Sequence, residues 1–298
     1  MQINEFNINQ SYMKLDGRRE STNVDDRRGK TYRTAGGIGL GGAVIIGLLT
    51  LLFGGNPTDV IEMMGNGMGM VEEQTQTEFS PEEQELATFA KQIMAGTEDV
   101  WTEIFRQMGR RYEPPTLVLF SNAVQSGCGG ATSDSGPFYC SADRSVYLDL
   151  SFFSTMKRQF GADGDFAYAY VIAHEVGHHV QNLLGTLSQA HNQMSRVSQV
   201  ESNQISVRLE LQADFYAGIW AYHDNQMFGS LEPGDLDEGL AIAARIGDDY
   251  LQKRANGRAL PETFNHGTSA QRSKWLKRGF STGNLNQGDT FSPDYRAL

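Results

Sequence analysis

Within Val171-Ile-Ala-His-Glu-Val-Gly-His-His-Val-Gln181, two histidines stand four residues apart, and a glutamate directly follows the first. If both imidazoles are to serve one ion, the stretch has to be a helix. Four residues is close to one turn, so His174 and His178 share a face about 6 Å apart. Each can then give a nitrogen to one Zn2+ at about 2.0–2.1 Å. Glu175 can reach a water on that metal without binding the metal itself. Phe166, Ala169, Tyr170, Ala173, Gly177, Val180 and Leu184 recur at helical spacing and predict a buried face. Asp163 or Asp165 can cap the start of this helix, and Gly185 can end it. The plain alternative is a buried structural helix with incidental histidines.

A site with two histidines needs a third protein ligand and one open position. Arg208-Leu-Glu-Leu-Gln-Ala-Asp-Phe-Tyr-Ala-Gly218 offers Glu210 and Asp214, again one turn apart. Glu210 is the candidate third ligand. Asp214 is the candidate acceptor for the outer N–H of a ligand histidine, which fixes its tautomer and raises its basicity. The bland reading is a solvated acidic face. Ala217, Gly218 and Ala221 continue the same face, and Ala173 and Gly177 offer small residues in return. Two helices that hold one metal between them need that close approach. His179 points about 100° away from its neighbour His178 and reads as packed rather than ligating. His191 and His223 receive no role.

With these residues in view, the chain is similar to the gluzincin metallopeptidases. More closely, it resembles the membrane-anchored neutral zinc metallopeptidases of bacteria. The resemblance rests on His174-Glu-Val-Gly-His-His-Val-Gln181 and Glu210-Leu-Gln-Ala-Asp214. It extends to Gly136-Pro-Phe-Tyr-Cys140, Val146-Tyr-Leu-Asp-Leu150 and His266-Gly-Thr-Ser-Ala-Gln-Arg272. It implies a zincin-like α+β domain, mainly helical, with a small sheet whose edge lines the cleft. That edge strand would be Val146, Tyr147, Leu148, Asp149 and Leu150, where an exposed edge can pair with an extended peptide. The resemblance also makes His266 and Arg272 candidates for stabilising the tetrahedral intermediate and positioning substrate. Their bland reading is a loop histidine and a helix-surface arginine.

The chain has 298 residues and a net charge of −11, which argues against a nucleic-acid partner. Ala35–Phe53 is apolar or Gly/Thr throughout, about the length that crosses a membrane. A single transmembrane helix is therefore expected over 34–55. Lys14, Arg18, Arg19, Arg27, Arg28, Lys30 and Arg33 precede it, and no Lys or Arg follows until Lys91. The positive-inside rule then places residues 1–33 in the cytoplasm and the main domain in the periplasm or outside the cell. The expected location is the inner membrane. Cys128 and Cys140 bracket a Gly/Ser-rich loop, and in an oxidising compartment they would close it as a disulfide. Reduced thiols and a second metal site are the alternatives.

The expected organisation is a disordered N-terminus over 1–33, the membrane helix over 34–55 and a flexible linker over 56–79. The zinc metallopeptidase domain spans 80–282, and a polar, poorly ordered tail spans 283–298. Ser80-Pro-Glu-Glu83 is a helix start. Helices are expected to about Met94, over Thr97–Arg111, 204–227 and 236–253, and from Ser269 to a stop at Gly279. Thr186–Asn203 reads as a lid or excursion over the cleft. The function expected is a membrane-anchored endopeptidase with one Zn2+ per chain. Glu175 would act as general base on a zinc-bound water, and the substrate would be a peptide or protein. The alternative is a zinc-binding but catalytically latent adaptor or holdase.

Overall fold

The computed structural model describes residues 13–36, 68–74, 78–161 and 164–298, with 31–36 and 68–74 given only as strands. The architecture is α+β and mainly helical. The first elements are strands β1 (Val24–Asp26), β2 (Lys30–Gly36) and β3 (Met68–Gln74), then helix α1 (Pro81–Gln107). Five short strands follow: β4 (Thr116–Phe120), β5 (Ala123–Ser126), β6 (Gly129–Thr132), β7 (Phe138–Cys140) and β8 (Ser145–Asp149). The rest is helical: α2 (Ser151–Phe160), α3 (Asp165–Leu184), α4 (Thr186–Met194), α5 (Gln199–Phe228), α6 (Asp235–Arg245), α7 (Asp248–Asn256) and α8 (Ser269–Thr282).

Ser80 caps α1 as its sequence predicts, accepting from the Glu83 N–H at 3.1 Å with Pro81 in the first turn. The expected break near Gly96 is absent. Gly96 is there for packing: a Cβ at that position would meet Asp224 Oδ1 at 2.7 Å. The reverse holds between α6 and α7, where one helix was expected. The chain breaks at Gly247, whose missing Cβ leaves room for the backbone N of Ser269 at 2.2 Å. That approach brings the 265–269 loop onto the start of α7. Gly279 does not stop α8. It lies inside the helix against Phe215 O, and the helix ends at Gly283 with φ +57°.

The four-stranded sheet has the order β1-β4-β8-β7. β1 and β4 run parallel, as do β4 and β8, while β7 is antiparallel to β8. This corrects the expected edge strand. Val146–Asp149 lies in β8, which is buried throughout, pairs with β4 along its length and with β7 at Ser145–Tyr147. β7 is the edge. A run of apolar residues reads alike at an edge and inside a sheet, so the motif could not separate them. The segment between β4 and β8 is closed by Cys128–Cys140, with Cα atoms 5.8 Å apart, as expected.

The N-terminal expectations do not stand. Met13 and Leu15 are buried in the main core. Arg18 donates to both oxygens of Asp224, at 2.8 and 3.3 Å, and β1 extends the sheet beside β4. Residues 13–28 therefore belong to the same folded body as the helices. They cannot lie across a membrane from it. The expected membrane helix over 34–55 lies largely outside the described residues. Residues 34–36 are strand, and β2 pairs antiparallel with β3, Gly36 facing Met68. No helix among the described residues is long and apolar enough to cross a membrane. The inner-membrane, single-pass placement is overturned by this packing. Lys and Arg counts misled because Arg18 and Arg28 are spent in ion pairs with Asp224 and Asp26.

The tail is also held. Arg208 donates to the carbonyls of Thr290, Phe291 and Pro293, and Leu298 is buried. Backbone carbonyls make those contacts, so side-chain polarity said nothing about them.

Candidate metal centre

Helices α3 and α5 build the site between them. Gly177 sits where they are closest: a Cβ there would meet Ala213 O at 2.9 Å and Ala213 Cα at 3.1 Å. The expected small-residue contact is real on the α3 side. On α5, however, Gly218 faces α8 instead, with Leu276 O 2.2 Å from where its Cβ would be. Gly177→Val should push the ligand helices apart. We expect at least a tenfold weaker zinc affinity in a competitive chelator titration, because ligand placement tolerates errors of only about 0.5 Å. Unchanged affinity would mean the helices are not held at that contact.

His174 and His178 turn Nε2 toward one carboxylate. His174 Nε2 lies 3.2 Å from Glu210 Oε2, and His178 Nε2 lies 3.4 Å from Glu210 Oε1. Tetrahedral zinc with bonds of about 2.0–2.1 Å separates neighbouring donors by roughly 3.4 Å. Among the described residues these three form the one His/Cys/Asp/Glu group able to hold an ion, its ligand atoms all within 4.8 Å of one another. The donor set, two imidazoles and a carboxylate, suits zinc.

The outer nitrogens are held too. His174 Nδ1 is 2.8 Å from Asp214 Oδ1, so the imidazole donates there and keeps Nε2 for an ion. His178 Nδ1 donates to Gln181 Oε1 at 2.9 Å, and the Gln181 amide is anchored on Leu209 O at 2.7 Å. Burial alone would lower the His174 pKa. The charge of Asp214 and its hydrogen bond, then Glu210, outweigh burial and lift it to about 10. Burial likewise opposes ionisation of Asp214, yet Arg272 and His174 hold it down at about 2. Glu175, buried beside the ligands, is pushed upward by desolvation against the pull of His178 and His174.

Arg272 is not where the sequence placed it functionally. It is 1% exposed and donates to Asp214 through Nε and a terminal nitrogen, both at 2.9 Å. It has no route to a substrate and instead fixes the carboxylate behind His174. Tyr170, one turn before His174, donates to the same carboxylate at 2.5 Å. His266 lines the cavity with the three ligands and Glu175. Its Nδ1 is 3.0 Å from Asp248 Oδ1, while Asp248 Oδ2 accepts the N–H groups of Asn265, His266 and Gly267. Nε2 is thereby left for the cavity.

The cavity holds about 210 Å³, with Phe138 and Tyr139 of β7 along one side and Leu187 and His191 of α4 along another. Thr186–Asn203 thus contributes a short helix to the cleft wall. Gln181, Tyr170 and Asp248 were missed from sequence. Gln181 and Tyr170 stand three and four residues from a ligand, so helical spacing could have flagged both. Nothing local marks Asp248. His179 is fully buried, as expected, its pKa pushed down to about 4 by desolvation.

The whole described body, not the motif alone, matches a known pattern. The chain belongs to the family described as "Putative neutral zinc metallopeptidase", whose model covers residues 13–291. It is 46% identical over 289 residues to the uncharacterized protein YpfJ of Escherichia coli, covering 94% of this chain and 99% of that one. It is 47% identical over 191 residues to the uncharacterized protein Rv2575 of Mycobacterium tuberculosis, covering 61% of this chain and 64% of that one. No solved structure matches the chain.

Proposed function

We propose that this protein is a zinc endopeptidase that hydrolyses internal peptide bonds. One observation carries the reading: the His174, His178 and Glu210 donors converge at zinc-like spacings in a cavity that Glu175 also lines. Zinc bound there would polarise the scissile carbonyl and acidify a water. Glu175 takes the proton from the attacking water and hands it to the leaving amine. His266 donates from Nδ1 to Asp248, so its Nε2 can donate to the developing oxyanion when the ring carries both protons. Asp214, Tyr170 and Arg272 keep His174 in the metal-facing tautomer. β7 offers the backbone edge on which an extended peptide lies. No Lys or Arg stands among the described residues lining the cavity, so nothing there would anchor a terminal carboxylate. That favours cleavage within a chain over trimming from its C-terminus.

A latent peptide-binding role is the second reading. The close wall of Leu187 and His191 favours it, because the cavity is smaller than the roughly 300–1,000 Å³ usual for ligand pockets.

The first test is zinc content by plasma mass spectrometry for the full chain beside its Glu210→Ala variant. One zinc per chain in the parent and a large loss in the variant is the expected result. Equal zinc in both would remove Glu210 from the ligand set, and no zinc in the parent would end the metallopeptidase reading.

A further inference from the structure

Tyr139 is the central residue of β7, a strand of three residues hydrogen-bonded on one side only. So short an edge would fray if β8 alone held it. The disulfide at Cys140 holds its end, and the metal helix holds its centre. Tyr139 Oη lies 3.0 Å from His179 Nδ1, and His179 Nε2 lies 2.7 Å from Glu113 O. A carbonyl oxygen can only accept, so Nε2 carries the proton and Nδ1 presents a lone pair. The tyrosine hydroxyl must then donate to Nδ1. Its oxygen accepts from Asn182 Nδ2 at 2.9 Å. The arrangement of protons is therefore unique, and it joins β7 to two residues of α3, one of them the direct neighbour of His178. Tyr139 and Glu175 also line the same cavity.

We infer that Tyr139 is a positioning residue that sets the distance between the peptide-binding edge and the metal helix, through its hydroxyl on His179 and Asn182. The inference rests on the reading of this site as a peptidase. A peptide added to β7 takes its position from that strand. Its scissile carbonyl reaches the metal site only if strand and helix keep their spacing. Misplacement of about 1 Å at such a site can cost on the order of 100-fold.

The test uses two hydroxamates on the zinc-loaded full chain. Acetohydroxamate can bind a zinc ion but has no peptide backbone to pair with the strand, whereas a tripeptide hydroxamate also lies along it. Tyr139→Phe keeps the ring and removes the hydroxyl. The expected result is unchanged zinc content, an acetohydroxamate Kd within twofold of the parent, and a tripeptide hydroxamate Kd raised at least tenfold. Asn182→Ala, which removes only the donor to the hydroxyl, should shift the same ratio by a smaller factor and guards against a misfolded first variant. A structural role alone would move both compounds together. Parallel shifts, no shift, or loss of zinc in Tyr139→Phe would each overturn the inference. If neither compound bound the zinc-loaded parent, the peptidase reading itself would fail first.

Discussion

Glu175→Gln should keep its zinc and lose peptide hydrolysis by about 10²–10⁴-fold, the range that a positioned general base supplies. Glutamine fills the same space and can still hydrogen-bond, but it cannot take a proton from water. The fold should not suffer. Glu175 is a buried carboxyl that desolvation already penalises, so removing its charge relieves that cost while giving up the attraction of His174 and His178. The measurement is cleavage of a quenched-fluorescent casein by parent and variant at equal, measured zinc occupancy. A variant as active as its parent would remove Glu175 from the mechanism. The same substitution separates the two functional readings: a latent adaptor would lose nothing in its cellular role, whereas an endopeptidase would lose it together with cleavage.

Arg272→Ala should be among the most destabilising single changes in the domain. The guanidinium is 1% exposed and meets a carboxylate that is fully buried. Deleting it leaves Asp214 ionised in the core with only Tyr170 and His174 for company. Breaking a buried pair in this way costs roughly 3–5 kcal/mol. For a domain of this size, that lowers Tm by about 6–20 °C at some 2–4 °C per kcal/mol. Zinc affinity should fall as well, by about 10–100-fold, because Asp214 would no longer hold His174 in place. Thermal unfolding of the metal-free protein and a chelator competition read the two effects separately. Arg272→Lys should rescue little, since an ammonium cannot reproduce two parallel N–H donors. A variant with parental Tm would show that Asp214 is stabilised by other means.

These residues show how far the sequence could be read. The ligand triad was legible because helical spacing converts a four-residue interval into a shared face, and Glu210 and Asp214 repeat that interval. The starts of α1 and α8 were legible from caps, which are local chemistry: Ser80 and Thr268 each accept from a backbone N–H three residues on, whereas α5 starts at Gln199 behind a Ser198 cap, five residues before the expected 204. Long-range facts were not. Asp248 holds His266 across a gap in sequence that no spacing rule spans. Arg272 was expected to meet the substrate, and its actual partner, Asp214, lies 58 residues away in the chain. Gly96, Gly218 and Gly279 read as breaks or small faces, yet each marks a contact with an element remote in the chain. The charged residues before position 34 looked like a solvated leader because ion pairs with Asp224 and Asp26 cannot be seen from composition.

The place of β1 in the sheet has a practical consequence. A fragment beginning at residue 80 would look complete by motif, since every ligand and its supports would be present. It would nevertheless strip the outer strand from β4 and uncover Leu117, Val118 and Leu119, which are buried in the intact chain. A bare apolar edge of that kind is a template for a second copy of itself. Such a fragment is liable to self-associate, and insoluble material from it would report a missing strand rather than an unstable metal site. A fragment that keeps β1 and the buried Met13 and Leu15 has to begin at or before residue 13.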